Sequence, residues 1–203
     1  MKRYIVGISG ASGAIYSSIL LEQLARGGSE VHVIPSRNGR QVFRHETGVE
    51  LSEKLDLILN GLQQESDIPG SVGKFILHEP DNFFAAPASG SFHCDGMAVV
   101  PCSMGTLGAL ASGAIYNLLG RSADVTLKER RPLVIVPRET PLNLIHLRNM
   151  VTLAEAGAVI MPPVPGFYHH PESVEQLVLQ TVGRIIEQLG GGRDLVQTWG
   201  EGR

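Results

Sequence analysis

The chain has 203 residues, 43% hydrophobic and 18% charged, with a formal net charge of −3. That is enough for one well-buried domain, expected to span residues 1–203 with a tail from about residue 190, and short for two. The charge balance argues against a nucleic-acid binder, no apolar run reaches the length of a membrane span, and two cysteines make no disulfide framework.

Lys2-Arg3 leads directly into an apolar run without a signal-peptide core, so a cytoplasmic location is expected. Tyr4 to Ile8 reads as a buried strand. Gly7, Gly10 and Gly13 follow, interleaved with Ser9, Ala11 and Ser12, and a helical pattern then runs through Ile15, Ile19, Leu20 and Leu24. Strand, glycine turn and helix is the arrangement that points backbone N–H groups at an anion, with Ser9 or Ser12 available as a cap. The spacing G-x-x-G-x-x-G matches neither the dinucleotide fingerprint nor a Walker A motif.

Gly27-Gly28 ends this helix, and Glu30 to Ile34 forms the second strand, closed by Pro35-Ser36-Arg37. A helix from about Gly39 to Glu46 is predicted next, then an amphipathic piece over Leu51 to Leu62 and a short strand at Phe75 to Leu77. Residues 79 to 96 read as a long loop, of a length that suggests function. Met97 to Pro101 is a strand, and Cys102-Ser103-Met104-Gly105-Thr106 leaves it for a helix over Leu107 to Ser112. Further on come a helix over Arg121 to Arg130, a strand over Leu133 to Val136, a helix over Pro141 to Ala156 and a strand over Ala158 to Met161. A proline-rich loop runs to Pro171, and a final helix covers Glu172 to Leu189. Alternating strands and helices imply a parallel sheet with helices on both faces, with ligands bound beyond the carboxyl ends of the strands. Ser9 to Gly13, Ser36, Cys102 to Thr106 and Arg138-Glu139 all directly follow strands.

Several charged residues admit two readings. Arg121, Asp124 and Lys128 share one helix face, as a surface ion-pair ladder or as a cationic wall for a phosphate. Arg138-Glu139 can bind a phosphate and shuttle a proton, or solvate a loop and cap the following helix. Glu46 ends a short helix, where its charge opposes the helix dipole. Tyr168 and Arg184 read as a packed aromatic and a solvated arginine. His169-His170 finds no other ligands at metal spacing, so no metal is expected. Cys102 reads as a small buried hydrophobe.

Taken together, GISGASGAIY at the start, ASGS at 88–91, PCSMGTLGALASG at 101–113, RSADVTLKERRPLVIVPRETPL at 121–142, HLRNM at 146–150 and GAVIMPPVPGFYHHP at 157–171 resemble the flavin prenyltransferase family (UbiX type) over nearly the whole chain. The resemblance implies a three-layer α/β/α Rossmann-like flavoprotein fold assembled as a homododecamer. It implies transfer of a dimethylallyl group from dimethylallyl phosphate to N5 of reduced FMN, ring closure at C6, and delivery of the prenylated FMN to a UbiD-type decarboxylase, with no metal. Matched by motif, Gly10, Ala11, Ser12, Ser36, Ser103, Met104, Gly105, Thr106 and Arg138 would hold FMN. Tyr168 and Arg184 would hold the prenyl phosphate, with Arg121 and Lys128 beside it. Ser12, Glu46, Glu139 and Trp199 match positions tied to catalysis. The runner-up is an FMN-dependent cysteine-type decarboxylase, whose relatives carry a PASANT-like segment where this chain has PCSMGT.

Overall fold

A computed structural model describes residues 1–66 and 71–192; Trp199 lies outside the described residues. Among the described residues, six strands form one parallel sheet: β1 (Arg3–Ile8), β2 (Glu30–Pro35), β3 (Lys74–Leu77), β4 (Gly96–Cys102), β5 (Leu133–Pro137) and β6 (Val159–Ile160). Their order, β3-β2-β1-β4-β5-β6, reverses between β1 and β4. Such a switch point opens a crevice at the carboxyl ends of the two diverging strands.

Among the described residues, seven α-helices flank the sheet: α1 (Ala14–Arg26), α2 (Arg37–Thr47), α3 (Leu51–Glu65), α4 (Met104–Ser112), α5 (Leu118–Lys128), α6 (Leu144–Glu155) and, after the last strand, α7 (Val174–Gln188). The strand side chains alternate between two apolar layers, as the period of two requires. Tyr4, Val6, Ile8, Ala98, Val100, Val134 and Val136 join one layer with Leu20 and Leu24 of α1, Phe43 of α2, Leu55 of α3 and Val182 of α7. Ile5, Met97, Val99, Leu133 and Ile135 join the other with Leu107 of α4, Leu119 of α5 and Leu153 of α6. The result is the expected three-layer α/β/α arrangement.

Every strand falls where its apolar run predicts, but several helices begin elsewhere. α2 starts at Arg37 rather than Gly39 because Ser36 caps it, its hydroxyl accepting from the Gly39 N–H at 2.9 Å. α4 starts at Met104, capped by Ser103. α5 starts at Leu118 rather than Arg121, capped by Asn117, and Ser122 lies buried inside the helix. α6 starts at Leu144 behind a capping box of Asn143 and His146, and α7 starts at Val174 behind Ser173. Each cap satisfies an amide that the helix cannot. No helix among the described residues is long and apolar enough to cross a membrane.

Candidate functional site

The switch point is fastened by one buried serine. Ser9 donates its hydroxyl to the Pro101 carbonyl at 2.9 Å and accepts the Ser103 N–H at 2.7 Å, tying the ends of β1 and β4 together. Ser9 is therefore not a helix cap. Gly13 is the N-cap of α1, at φ 121°, a backbone region that side chains rarely adopt. Gly10 is needed for another reason: a Cβ there would lie 2.6 Å from the Cβ of Asn38 on α2.

The glycine turn does not leave the first amides of α1 open to a ligand, contrary to the sequence-based expectation. The Glu46 carboxylate reaches across from α2 and accepts from the Gly13 N–H at 2.9 Å and the Ala14 N–H at 2.7 Å. Burial alone would raise the Glu46 carboxyl. The Ser12 hydroxyl, the Ala14 and Gly13 amides and the Arg138 charge outweigh burial, and the group ends below its ordinary range. Glu46 opposes the dipole of its own helix but caps the positive end of another.

A cleft of about 570 Å³ opens beside this turn, a size suited to a cofactor or small substrate. The starts of three helices converge on it: Ser36, Arg37 and Asn38 from α2, Ser103, Gly105 and Thr106 from α4, and Asn117 and Gly120 from α5. Three positive helix ends, with the capping hydroxyls of Ser36 and Ser103 and the carboxamide of Asn117, favour an anion such as a phosphate. Gly10 forms the floor beside β1, while Ala109, Leu110, Ala114 and Tyr116 make a less polar wall. The remaining wall is Pro80-Asp81, where Asp81 pairs with Arg37, Nε to Oδ2 at 3.1 Å.

Of the expected flavin set, Gly10, Ser36, Ser103, Gly105 and Thr106 line the cleft. Ala11, Ser12 and Met104 adjoin it in sequence. Arg138, one residue past β5, donates its Nε to the Ser12 carbonyl at 3.0 Å, so the ends of β1 and β5 are also joined. Glu139 does not cap α6, which Asn143 does; its carboxylate accepts the Thr140 N–H at 3.0 Å. Ser12, Glu46, Arg138 and the base of Glu139 thus gather at one edge of the sheet.

The residues expected to hold the prenyl phosphate have local partners. Arg121 donates from Nε to the Ala88 carbonyl at 3.0 Å and pairs with Asp124 at 2.9 Å, the ladder reading of that helix face. Lys128 pairs with its neighbour Glu129 rather than continuing the ladder. Arg184 pairs with Glu187 on α7, and Tyr168 packs edge-on against His169 at 5.5 Å between ring centroids. Cys102 is fully buried, which pushes its thiol up to about 12 and removes it as a nucleophile.

Asn117, Arg37, Asn38, Tyr116 and Asp81 line the cleft without having been expected from the sequence. Asn117 carried a legible signal, an N-cap residue just before an apolar run. Pro80 and Asp81 carried none, since they sit in a loop whose path is set by tertiary packing.

Residues 1–186 match the flavoprotein family model. A flavin prenyltransferase UbiX of Halalkalibacterium halodurans is 44% identical over 200 residues, covering 98% of this chain and 94% of that protein. The crystal structure of AnUbiX in complex with FMN and dimethylallyl pyrophosphate aligns with a TM-score of 0.86 at 39% identity, covering 100% of this chain and 99% of that one. A dodecameric FMN-dependent UbiX-like decarboxylase from Escherichia coli O157:H7 aligns with a TM-score of 0.81 at 39% identity, covering 93% and 94%. The FMN-dependent cysteine decarboxylase TvaF is similar in fold only, at 15% identity and a TM-score of 0.59. With sequence identity of this order running over nearly its full length, the chain belongs to the flavin prenyltransferase (UbiX) family of flavoproteins.

Proposed function

We propose that this protein is a flavin prenyltransferase that makes prenylated FMN from reduced FMN and dimethylallyl phosphate. The observation that carries the reading is the cleft at the switch point, where the starts of α2, α4 and α5 converge beside Ser12, Glu46 and Arg138. In this reading the donor's C–O bond breaks and phosphate leaves as the dimethylallyl group bonds to N5 of reduced FMN, which gives up its proton; the alkene then takes up a proton at C2 while its C3 bonds to C6, which loses one, for a net gain of C5H8.

Gly10, Ala11, Ser12, Ser36, Ser103, Met104, Gly105, Thr106 and Arg138 hold the flavin in this reading. The capping hydroxyls of Ser36 and Ser103 and the helix starts suit its phosphate. Glu139 acts at the leaving phosphate as a general acid, since a protonated monophosphate leaves more readily. Glu46, bonded to Ser12 and to the α1 amides, supports the alkylation at N5. Trp199 completes the catalytic set as an aromatic face for the allylic cation.

Arg121, Lys128, Tyr168 and Arg184 belong to the donor-phosphate site, and a second copy of the chain brings them to the cleft. Large apolar side chains left exposed on Phe84, Leu144, Ile145, Val151, Phe167 and Val174 support this. Contiguous exposed apolar surface marks association. Assembly as a homododecamer, a cytoplasmic location and hand-over of the product to a UbiD-type decarboxylase complete the proposal.

The test is to incubate the protein anaerobically with reduced FMN and dimethylallyl phosphate and to measure the flavin mass. A gain of one C5H8 unit is the expected result. An unchanged flavin overturns the transferase, and carbon dioxide release from a cysteine-terminated peptide or pantothenoylcysteine would favour the decarboxylase alternative.

A further inference from the structure

One polar chain runs through the second apolar layer, outside the site residues named above. Glu30 and His32 of β2 point to the same face as Ile34, where they are 5% and 4% exposed. His32 Nε2 lies 3.0 Å from Glu30 Oε1, and His32 Nδ1 lies 2.8 Å from His78 Nε2. The two imidazoles are nearly parallel, at 13° with centroids 5.1 Å apart, and Phe92 packs edge-on against His32 at 4.7 Å.

The proton positions follow from Glu30. Lys74 and Arg3 hold its carboxyl down to about 2, so it is ionised and can only accept. His32 therefore donates from Nε2, its Nδ1 is bare, and His78 donates to it from Nε2. Nδ1 of His78 is then the nitrogen left to take the next proton.

His78 is also the anchor of a cleft wall. It follows β3 directly, and its N–H donates to the Val33 carbonyl at 2.9 Å. Its carbonyl accepts from Arg40 Nη2 at 3.2 Å, and the same nitrogen holds Glu79 at 2.9 Å. Pro80 accepts the Leu118 N–H of α5 at 2.7 Å, and Asp81 holds Arg37 of α2. Residues 78–81 thus form a strap from β3 across α2 to the start of α5.

We infer that Glu30, His32 and His78 are positioning residues for the flavin cleft, and that protonation of the histidine pair releases the 78–81 wall and weakens flavin binding. The inference rests on the flavin reading of the cleft, but its first test does not. Burial holds both histidines below their ordinary value. The groups facing them are Arg3 from β1, Glu30 from β2, Lys74 from β3 and Arg40 from α2. Glu79 adjoins His78, and Asp95 holds the Arg3 N–H at 2.7 Å. Among the described residues, Glu30 is the only anion in direct contact with the pair, and Arg3 and Lys74 already share its charge. An added imidazolium there is unfavourable. An opened strap frees His78 to titrate near pH 6.5, so the closed wall loses its advantage as pH falls below that value.

The experiment uses the full chain. Amide exchange of residues 78–85, corrected for intrinsic rates, is followed between pH 7.5 and 5.5 without flavin. Protection in the wild type should fall about tenfold, and His78→Gln, which keeps a donor to His32 but does not titrate, should flatten that dependence. His78→Phe serves if the glutamine variant fails to fold. FMN titrations over the same range should show the wild-type Kd rising more than the variant's, which should rise by no more than the roughly fourfold due to the ligand phosphate's own protonation. Flat protection in the wild type, or an unchanged slope in the variant, overturns the inference. The expected exchange pattern in a chain that binds no FMN at any pH would support the strap and overturn the flavin reading instead.

Discussion

The two ends of the parallel sheet hold charge in opposite ways. At the amino end, Glu30 is buried and ringed by Lys74, Arg3 and His32, so side-chain counter-ions neutralise it. At the carboxyl end, Glu46, Arg138 and Glu139 are held chiefly by backbone groups: the Gly13 and Ala14 amides, the Ser12 carbonyl and the Thr140 amide. A backbone dipole orients a charge without cancelling it. The amino end is built for stability, and the carboxyl end keeps charge available to a ligand.

Breaking the amino-end cluster should have the largest effect. Glu30→Gln leaves two cations beside a buried neutral group and should cost about 3 kcal/mol in denaturant unfolding at pH 7. Because the folded carboxyl sits at about 2, its contribution is present above about pH 4.5 and is lost as pH falls toward 2. An acid-unfolding midpoint that does not shift in the variant would contradict the comparison.

At the carboxyl end the effects should fall on turnover. Glu139→Gln should slow prenyl transfer by roughly 10- to 100-fold while FMN still binds, measured by single-turnover kinetics and a flavin titration. Glu46→Gln should cost only about 1 kcal/mol of stability, typical of a lost cap, and should remove the small acid sensitivity that a depressed carboxyl confers below pH 4.5. A loss as large as that of Glu30→Gln would mean the two ends are built alike. The smallest effect belongs to an exposed pair away from both ends: Arg26→Ala, which breaks contacts to Glu22 and Glu65, should change stability by less than about 0.5 kcal/mol.

Much of this organisation is legible along the chain because it depends on neighbours in sequence. The runs Tyr4–Ile8, Met97–Pro101 and Leu133–Val136 are apolar on both faces, which only a sheet covered on both sides can use. Ser36 and Ser103 stand where strand gives way to helix, and both cap helices that line the cleft. Asn117, which follows α4 rather than a strand, had only the cap residue before an apolar run as its signature. The reach of Glu46 to Gly13 spans 33 positions, and the His32–His78 contact spans 46. Neither has a periodic or local signature, so no spacing argument could find them.

The sequence by itself determined the strands and the grouping of polar residues after strands, because each follows from side-chain periodicity within a few residues. Only the tertiary structure decided that the first helix start is filled by Glu46, that the cleft lies among α2, α4 and α5, and that Arg121 reaches the Ala88 carbonyl. Those outcomes depend on strand order and on which helix packs over which face, and such long-range contacts are fixed by the burial of the whole core rather than by any short stretch of it.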